Sequence, residues 1–165
     1  MGNSSSQTAP ATGKVDSLHP INGAILTSAE YVEAATSGTV TNNYTTRAIR
    51  GRIIIQVQQR DSANQWTTID TKWSDHVLID ASSSGTVDET CAPGLPTGNY
   101  VALVWLQWQE IGDDPEDSAA WRTLVGPSPP TVNEQTNETI DPNSQHTFTI
   151  YPSPPQLPEG LVPTG

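Results

Sequence analysis

The longest hydrophobic run of the chain lies between residues 95 and 109 and opens with two turn formers, Pro96 and Gly98. Alternate residues of a strand share a face, and the two faces would carry Tyr100, Ala102, Val104, Leu106 and Trp108, and Val101, Leu103, Trp105 and Gln107. Because both faces are apolar for most of the length, the pattern predicts a central strand rather than an edge strand. A buried helix is the alternative, but the opening turn and the aromatic and β-branched residues favour a strand.

Shorter segments on both sides of this run show the same two-residue alternation. Residues 47–60 alternate Ile and Val with Arg and Gln, residues 61–65 have turn composition, and residues 66–73 alternate again. These three segments predict a β-hairpin. Further strands are predicted at residues 77–81, 86–91, 121–125 and 146–151. Short strands separated by turns, with no long helical period, predict an all-β fold, an antiparallel β-sandwich.

The segment before the hairpin is ambiguous. Thr27-Ser-Ala-Glu30 fits a capping box, and residues 31–35 contain a short apolar stripe, so a short helix and a strand are both compatible with the sequence. Residues 37–46 are rich in Thr and Asn, and Gly38 is a candidate break between elements.

The opening of the central run, Leu95-Pro96-x-Gly98-x-Tyr100, resembles the turn and first residues of the penultimate strand in immunoglobulin-like sandwiches. In that family a Tyr near the strand start hydrogen-bonds back to the loop, which implies that Tyr100 is buried and structural. This chain has Ala102 where an antibody domain has Cys, and its single cysteine is Cys91, so the family's disulfide is missing. The resemblance covers this short motif and implies an Ig-like or jelly-roll-like fold without implying an activity.

Both ends of the chain differ in composition from the middle. Residues 127–165 hold nine of the fourteen prolines and no Lys or Arg, and residues 1–13 are almost all small or polar. We therefore expect an extended N-terminal arm at 1–19, a β-sandwich domain at 20–126, and a Pro-rich C-terminal arm at 127–165 with one possible strand.

The C-terminal arm carries apolar residues that have no purpose on a free tail. Its prolines already restrict the unbound chain, which lowers the entropy lost when the arm docks. We therefore expect residues 127–165 to contact another chain while residues 20–126 fold without them. The predicted interface consists of Phe148, Ile150, Tyr151, Leu157, Leu161 and Val162.

The net charge of −11 argues against binding nucleic acid through its phosphates, which would need a cluster of cations. Arg47, Arg50 and Arg52 form the one basic cluster of the sequence. Local pairing with the many acidic residues is favoured over recognition of an anion.

No catalytic, cofactor-binding or metal-binding signature rises above background in the sequence. The three His residues have no metal-spaced partners, and the single cysteine excludes both an intramolecular disulfide and a multi-cysteine metal site. The acidic residues between Glu110 and Asp117 would suit calcium, but their spacing fits no EF-hand loop and Pro115 interrupts them. A solvated acidic loop is favoured, and a non-enzymatic protein without a cofactor is expected.

Five tryptophans all fall on predicted strands. Trp105 and Trp108 have opposite parity, so both cannot point into one core, and Trp66, Trp73 and Trp121 lie on neighbouring strands. Burial on both faces of the sheet is one interpretation. A sugar-stacking platform and a protein interface, where Trp is enriched, are the others.

Two functional classes follow from these observations. The sequence as given has no N-terminal apolar signal region and no run of 18 apolar residues, so a cytosolically made protein without a membrane span is expected. Its polar, Thr-, Asn- and Pro-rich composition resembles that of virion surface proteins. The favoured hypothesis is a capsid or decoration component that assembles with other protein subunits, itself or a capsid protein. The alternative is a carbohydrate-binding or adhesive module of a secreted protein.

Overall fold

The computed structural model describes residues 9–127 and 142–152, which form two packed β-sheets. Within these residues the strands are β1 (Ala11–His19), β2 (Ala24–Thr27), β3 (Ala34–Asn42), β4 (Ile49–Arg60), β5 (Trp66–Trp73), β6 (Val77–Ile79), β7 (Ser84–Cys91), β8 (Gly98–Glu110), β9 (Arg122–Val125) and β10 (Gln145–Tyr151). The helices of the described residues are single 3₁₀ turns at Ser118–Ala120 and Pro142–Ser144, and none is long and apolar enough to cross a bilayer. The predicted all-β sandwich is confirmed.

The smaller sheet has the strand order β1-β3-β7, and the larger sheet has the order β2-β10-β8-β4-β5. The two short strands β6 and β9 pair with one end of β4 and of β8. Neighbouring strands are antiparallel except β2 and β10, which are parallel. The apolar strand β8 lies between β10 and β4, so both of its backbone edges are paired.

The core lies between the facing sides of the two sheets. From the larger sheet it receives Ile49, Ile53, Ile55 and Val57 of β4 and Tyr100, Ala102, Val104, Leu106 and Trp108 of β8. The smaller sheet lies close to this layer because two of its core-facing positions are glycines. A Cβ atom at Gly13 would lie 2.7 Å from Cδ2 of Leu106, and one at Gly38 would lie 3.1 Å from Cδ1 of the same residue. Gly38, the candidate break, is therefore part of strand β3 and allows the sheets to approach.

The N-terminal segment differs from its expectation. Residues 1–19 were expected to form an arm outside the domain, whereas Ala11–His19 is strand β1, paired with β3. The pairing register shifts between Val15 and Ser17, so Val15 and Leu18, three residues apart, are both buried in the core. This bulge interrupts the two-residue period by which a strand is recognised. Residues 1–8 lie outside the described part of the chain.

The ambiguous segment before the hairpin contains a turn followed by a strand. The amide of Thr27 donates to the carboxylate of Glu30 at 2.9 Å, which is the side-chain contact that a capping box makes. The chain nevertheless leaves this turn and enters β3 at Ala34, because alternate residues of β3 are buried against the larger sheet.

The C-terminal strand β10 is also an internal part of the sandwich, between β8 and β2. Phe148 and Ile150 are each 2% exposed, and the ring of Phe148 stacks on Tyr100 with the centroids 5.4 Å apart. These two residues were expected to contact another chain, and the structure corrects that expectation because they fill the chain's own core. Tyr151 is exposed. The other predicted interface residues, Leu157, Leu161 and Val162, lie outside the described residues.

The corner before β8 has one buried Tyr at its centre. Tyr100 is 1% exposed, and its hydroxyl donates a hydrogen bond to the carbonyl of Pro96 at 2.6 Å. Gly98 has φ 153°, and a Cβ atom there would lie 2.6 Å from Nε2 of Gln59. The motif residues at 96, 98 and 100 therefore define a single tight turn into the central strand.

Candidate interaction surface

The β4–β5 hairpin presents a cation and an indole at one end of the larger sheet. Its turn is held by Asp61, whose carboxylate accepts hydrogen bonds from the amides of Ala63 and Gln65, both at 2.9 Å. Arg60 and Trp66 are the cross-strand pair next to this turn. The guanidinium carbon of Arg60 lies 5.8 Å from the centre of the Trp66 ring, within the range of a cation–π contact. Trp66 is 42% exposed.

The wall opposite this pair is built by β2 and β10. The side-chain oxygen of Asn22 accepts from the amide of Thr147 at 2.9 Å, and the amide of Gly23 donates to the Thr147 carbonyl at 2.7 Å. These bonds fix the chain before β2 against β10. Parallel pairing then places Ile25 beside Thr149, and the Ile25 side chain is exposed.

Between these two walls lies an open cleft of about 410 Å³, which we call the end cleft. Its exposed apolar side chains are Ile25, Trp66 and Tyr151. Asn99 also lines the cleft, and its side-chain oxygen accepts from the Thr149 hydroxyl at 2.9 Å. The lining residues include Arg60 and no Asp or Glu. The cleft is therefore amphipathic and locally basic, on a chain whose net charge is −11.

Strand β5 forms one edge of the larger sheet. It pairs with β4, and no other described strand pairs with it. Trp66, Ile69 and Trp73 are all exposed; we call this group the β5 face, and Trp73 is 55% exposed. A register shift at Ile69 and the charge of Lys72 are features that discourage another strand from adding to an edge. The side chains of the β5 face, more than its backbone, are thus available to a partner.

The basic cluster of the sequence is engaged within the chain. Arg47 forms an ion pair with Glu110 at 3.4 Å, and Arg50 donates to backbone carbonyls of the acidic loop. Arg52 lies over the ring of Trp121, with its guanidinium carbon 4.2 Å from the ring centre, and burial lowers its pKa. Aromatic rings and carbonyls are therefore as important as carboxylates in holding these cations.

The acidic loop after β8 uses its carboxylates to stabilise turns. Asp114 accepts from the amide of Glu116 at 2.9 Å, and Asp117 accepts from the amide of Ala119 at 3.0 Å. Among residues 9–127 and 142–152, no group of three or more His, Cys, Asp or Glu side chains is arranged to hold a metal ion.

Cys91 is buried in the core, where burial raises the pKa of its thiol to about 12. The thiol therefore stays protonated at neutral pH, and a protonated thiol is a poor nucleophile. Its sulfur donates to the carbonyl of Asp70 at 3.5 Å. The residue packs as a small apolar side chain.

Trp105 and Trp108 point to opposite faces of β8. Trp108 is 4% exposed in the core and meets the ring of Tyr44 edge-on at 6.3 Å. Trp105 is half-buried on the other face, beside Gly126. Neither residue lines the end cleft.

Sequence reasoning did not single out Arg60, Ile25 or Asn99 as members of a common site. Arg60 and Trp66 flank the predicted turn at 61–65, so their pairing was readable from the hairpin pattern. The wall formed by β2 and β10 could not be predicted from the sequence, because their parallel pairing joins segments more than 120 residues apart along the chain.

No family model matches the chain, and no curated protein matches it. Among solved structures, it is similar to part of the alkylpurine DNA glycosylase AlkC from Pseudomonas fluorescens, bound to DNA containing an abasic site analog. The identity is 9% over 87% of this chain and 31% of that chain, with a TM-score of 0.45. Parts of β-glucosidases from Listeria innocua (12% identity, 87% of this chain, 16% of that chain, TM-score 0.43) and Kluyveromyces marxianus (9%, 85%, 15% and 0.37) are also similar. The chain spans less than a third of each of these proteins, and likenesses at these scores carry no inference about function.

Proposed function

We propose that this protein is a non-enzymatic structural subunit that joins a protein assembly, as virion capsid and decoration proteins do. The observation that supports this proposal is the β5 face, where two exposed indoles and an exposed Ile69 lie on one edge strand. Trp is enriched at protein interfaces and among the residues that contribute most of the binding energy. Its partners would be other protein subunits, either copies of itself or a capsid protein. The protein would be made in the cytosol and would become part of the virion.

The apolar surface that the two indoles expose is large enough to contribute to a specific contact. Trp66 and Trp73 expose 42% and 55% of their surfaces. Covering half of an indole with a partner would contribute roughly 2–3 kcal/mol for each residue, at the usual free energy per unit of apolar area. Two such anchors on one face of β5 would form the centre of an interface, with Thr68 and Thr71 as polar neighbours on the same face.

Two variants of comparable exposure test this proposal. Trp73→Ala should weaken assembly, measured by sedimentation velocity over a concentration series and by the fraction of the chain recovered in particles. Tyr31→Ala is the control, because Tyr31 is a similarly exposed aromatic residue, 74% exposed, outside β5. Assembly that is undiminished in Trp66→Ala/Trp73→Ala would refute the role of the β5 face.

The second candidate is a carbohydrate-binding or adhesive module, and the end cleft is the observation that favours it. Trp66 and Tyr151 provide rings for stacking on a sugar, and Asn99 and Thr149 provide polar groups in the same cleft. Titration with soluble oligosaccharides, followed by tryptophan fluorescence, tests this function. A saturable change that Trp66→Ala abolishes and Trp73→Ala preserves would support it over the assembly function.

A further inference from the structure

The end cleft has the chemistry of a groove for an extended peptide. It is open and amphipathic, with Trp66 and Tyr151 as its exposed aromatic residues and Arg60 as the charged residue of its lining. Grooves lined by aromatic side chains bind Pro-rich segments in the polyproline II conformation, which such segments adopt with little loss of entropy.

The chain itself contains a segment that matches this groove. Residues 152–165 include five prolines, and two of their spacings, 152 with 155 and 155 with 158, are of the form Pro-x-x-Pro. The same segment carries the apolar residues Leu157, Leu161 and Val162. Its one charged side chain is Glu159, which is complementary to Arg60 of the groove.

We propose that residues 153–165 of a second copy of this chain occupy the end cleft, with Glu159 beside Arg60 and a proline or leucine on the ring of Trp66. This inference rests on the proposed assembly function, since it names one contact through which two subunits join. It also gives a role to Leu157, Leu161 and Val162, which the sequence assigned to an interface.

A second copy is favoured over the same chain by the place where the segment begins. Strand β10 ends at Tyr151, which is itself part of the cleft lining, so the segment starts at the rim of its own cleft. Entering that cleft would need a sharp reversal directly after Pro152. The residue before a proline favours an extended conformation, and in the sequence 153, 154 and 157 each precede a proline. Six residues in the polyproline II conformation would span about 19 Å, at about 3.1 Å per residue, which favours the cleft of a neighbouring copy over the cleft at the start of the segment.

Two copies related by a two-fold axis would exchange their C-terminal segments reciprocally. Each tail then enters the cleft of its partner, and the same contact occurs twice in one dimer. Once the first tail is bound, the second binds as an intramolecular event at a high effective concentration. Two individually weak contacts can thus hold the dimer together.

Disulfide trapping between two full-length variants tests whether the contact is intermolecular. Arg60→Cys and Glu159→Cys are purified separately, mixed under mild oxidation, and resolved on a non-reducing gel. The native Cys91 does not interfere, because it is buried. A covalent heterodimer supports the proposal. Lys14→Cys replaces Arg60→Cys in the control mixture, because the Lys14 side chain is 73% exposed on β1, away from the cleft. Equal trapping in both mixtures overturns the proposal.

Charge reversal then measures the contact without any cross-link. Arg60→Glu and Glu159→Arg should each weaken the dimer about three- to tenfold in sedimentation equilibrium, and combining them in one chain should restore the wild-type dissociation constant. The control Lys14→Glu changes the net charge as Arg60→Glu does and should leave the constant within about twofold of wild type.

The outcomes separate this inference from the proposed function. A dimer that Trp73→Ala weakens, but that neither charge reversal nor Leu157→Asp affects, keeps the assembly function and overturns the cleft contact. A chain that stays monomeric at every concentration overturns the exchange between copies. If the double charge reversal restores the contact but the contact does not depend on protein concentration, the tail lies in the cleft of its own chain. That outcome also overturns the exchange between copies. Oligosaccharide binding that is unchanged when residues 157 and 159 are substituted assigns the cleft to the second candidate function.

Discussion

Strands β8 and β5 are both neighbours of β4, both alternate in sequence and both carry two tryptophans, yet their environments are opposite. The core face of β8 is buried and its other face is at least half-buried along most of its length, whereas every residue of β5 except Asp70 and Thr71 is exposed. β8 gains its second neighbour from β10, which returns from the far end of the chain, and its core face is covered by the smaller sheet. β5 has no second neighbour among the described residues. The same residue types therefore contribute to stability in one strand and are left available to a partner in the other.

The largest expected loss of stability comes from removing β10, the strand that gives β8 the second neighbour that β5 lacks among the described residues. A chain that ends at Gly126 lacks β10, so the first half of β8 becomes an edge like β5, and the core loses Phe148 and Ile150. Each of these side chains contributes roughly 1.5–3 kcal/mol by burial alone, and the ladder to β8 is lost as well. We expect the truncated chain to be largely unfolded by circular dichroism and urea titration.

This expectation replaces the one from the sequence, in which residues 20–126 fold alone. A truncated chain with a cooperative transition at the wild-type urea midpoint would contradict the structural role of β10. The same chain with β10 restored and ending at Pro152 is the control, and it should unfold with the midpoint of the monomeric wild type.

A pair of substitutions sharpens the comparison at the level of single side chains. Trp108→Ala in β8 should lower the free energy of unfolding by roughly 3–5 kcal/mol, because it leaves a large cavity between the sheets. Trp73→Ala in β5 should change it by about 1 kcal/mol or less, since half of that side chain is already in water. Both values come from urea titration of the monomer, and equal losses would mean that Trp73 is a core residue of the isolated chain.

The sequence was sufficient for the elements whose signals are local. The hairpin of β4 and β5 and the central strand β8 follow from alternation and from turn residues close by. Strand β1 was not recognised, because the bulge between Val15 and Ser17 shifts the phase of its alternation. A bulge changes which residues share a face without leaving a clear compositional signal.

The candidate site was much less predictable than the fold. The pattern of residues 146–151 predicted a strand, but alternation does not state which strands it pairs with, and its placement between β8 and β2 turns two expected interface residues into core. The end cleft joins four segments that are distant in the sequence, around residues 25, 60, 99 and 149. Trp66 is likewise exposed because no second described strand pairs with β5, and the pairing of β5 is a property of the whole sheet.

The smallest expected effect concerns the turn into β8. Tyr100→Phe removes the hydrogen bond to the carbonyl of Pro96 and keeps the stacked ring, so it should lower the free energy of unfolding by about 0.5–1.5 kcal/mol. Burial raises the pKa of the Tyr100 hydroxyl above its usual value near 10. The folded state therefore holds this proton more tightly than the unfolded state. The stabilisation linked to it is complete below about pH 10 and is lost as the pH rises towards the folded pKa.

The two readouts of this variant check each other. Tyr100→Phe should reduce stability at pH 7 in urea titration, and its stability should also fall less steeply above pH 10 than that of the wild type. The remaining alkaline loss would include that of Cys91, whose pKa burial raises to about 12, and Cys91→Ala in the same background identifies it. If Tyr100→Phe matches the wild type both at pH 7 and above pH 10, the hydroxyl is not bonded in solution, and Tyr100 supports the turn into β8 through its ring alone.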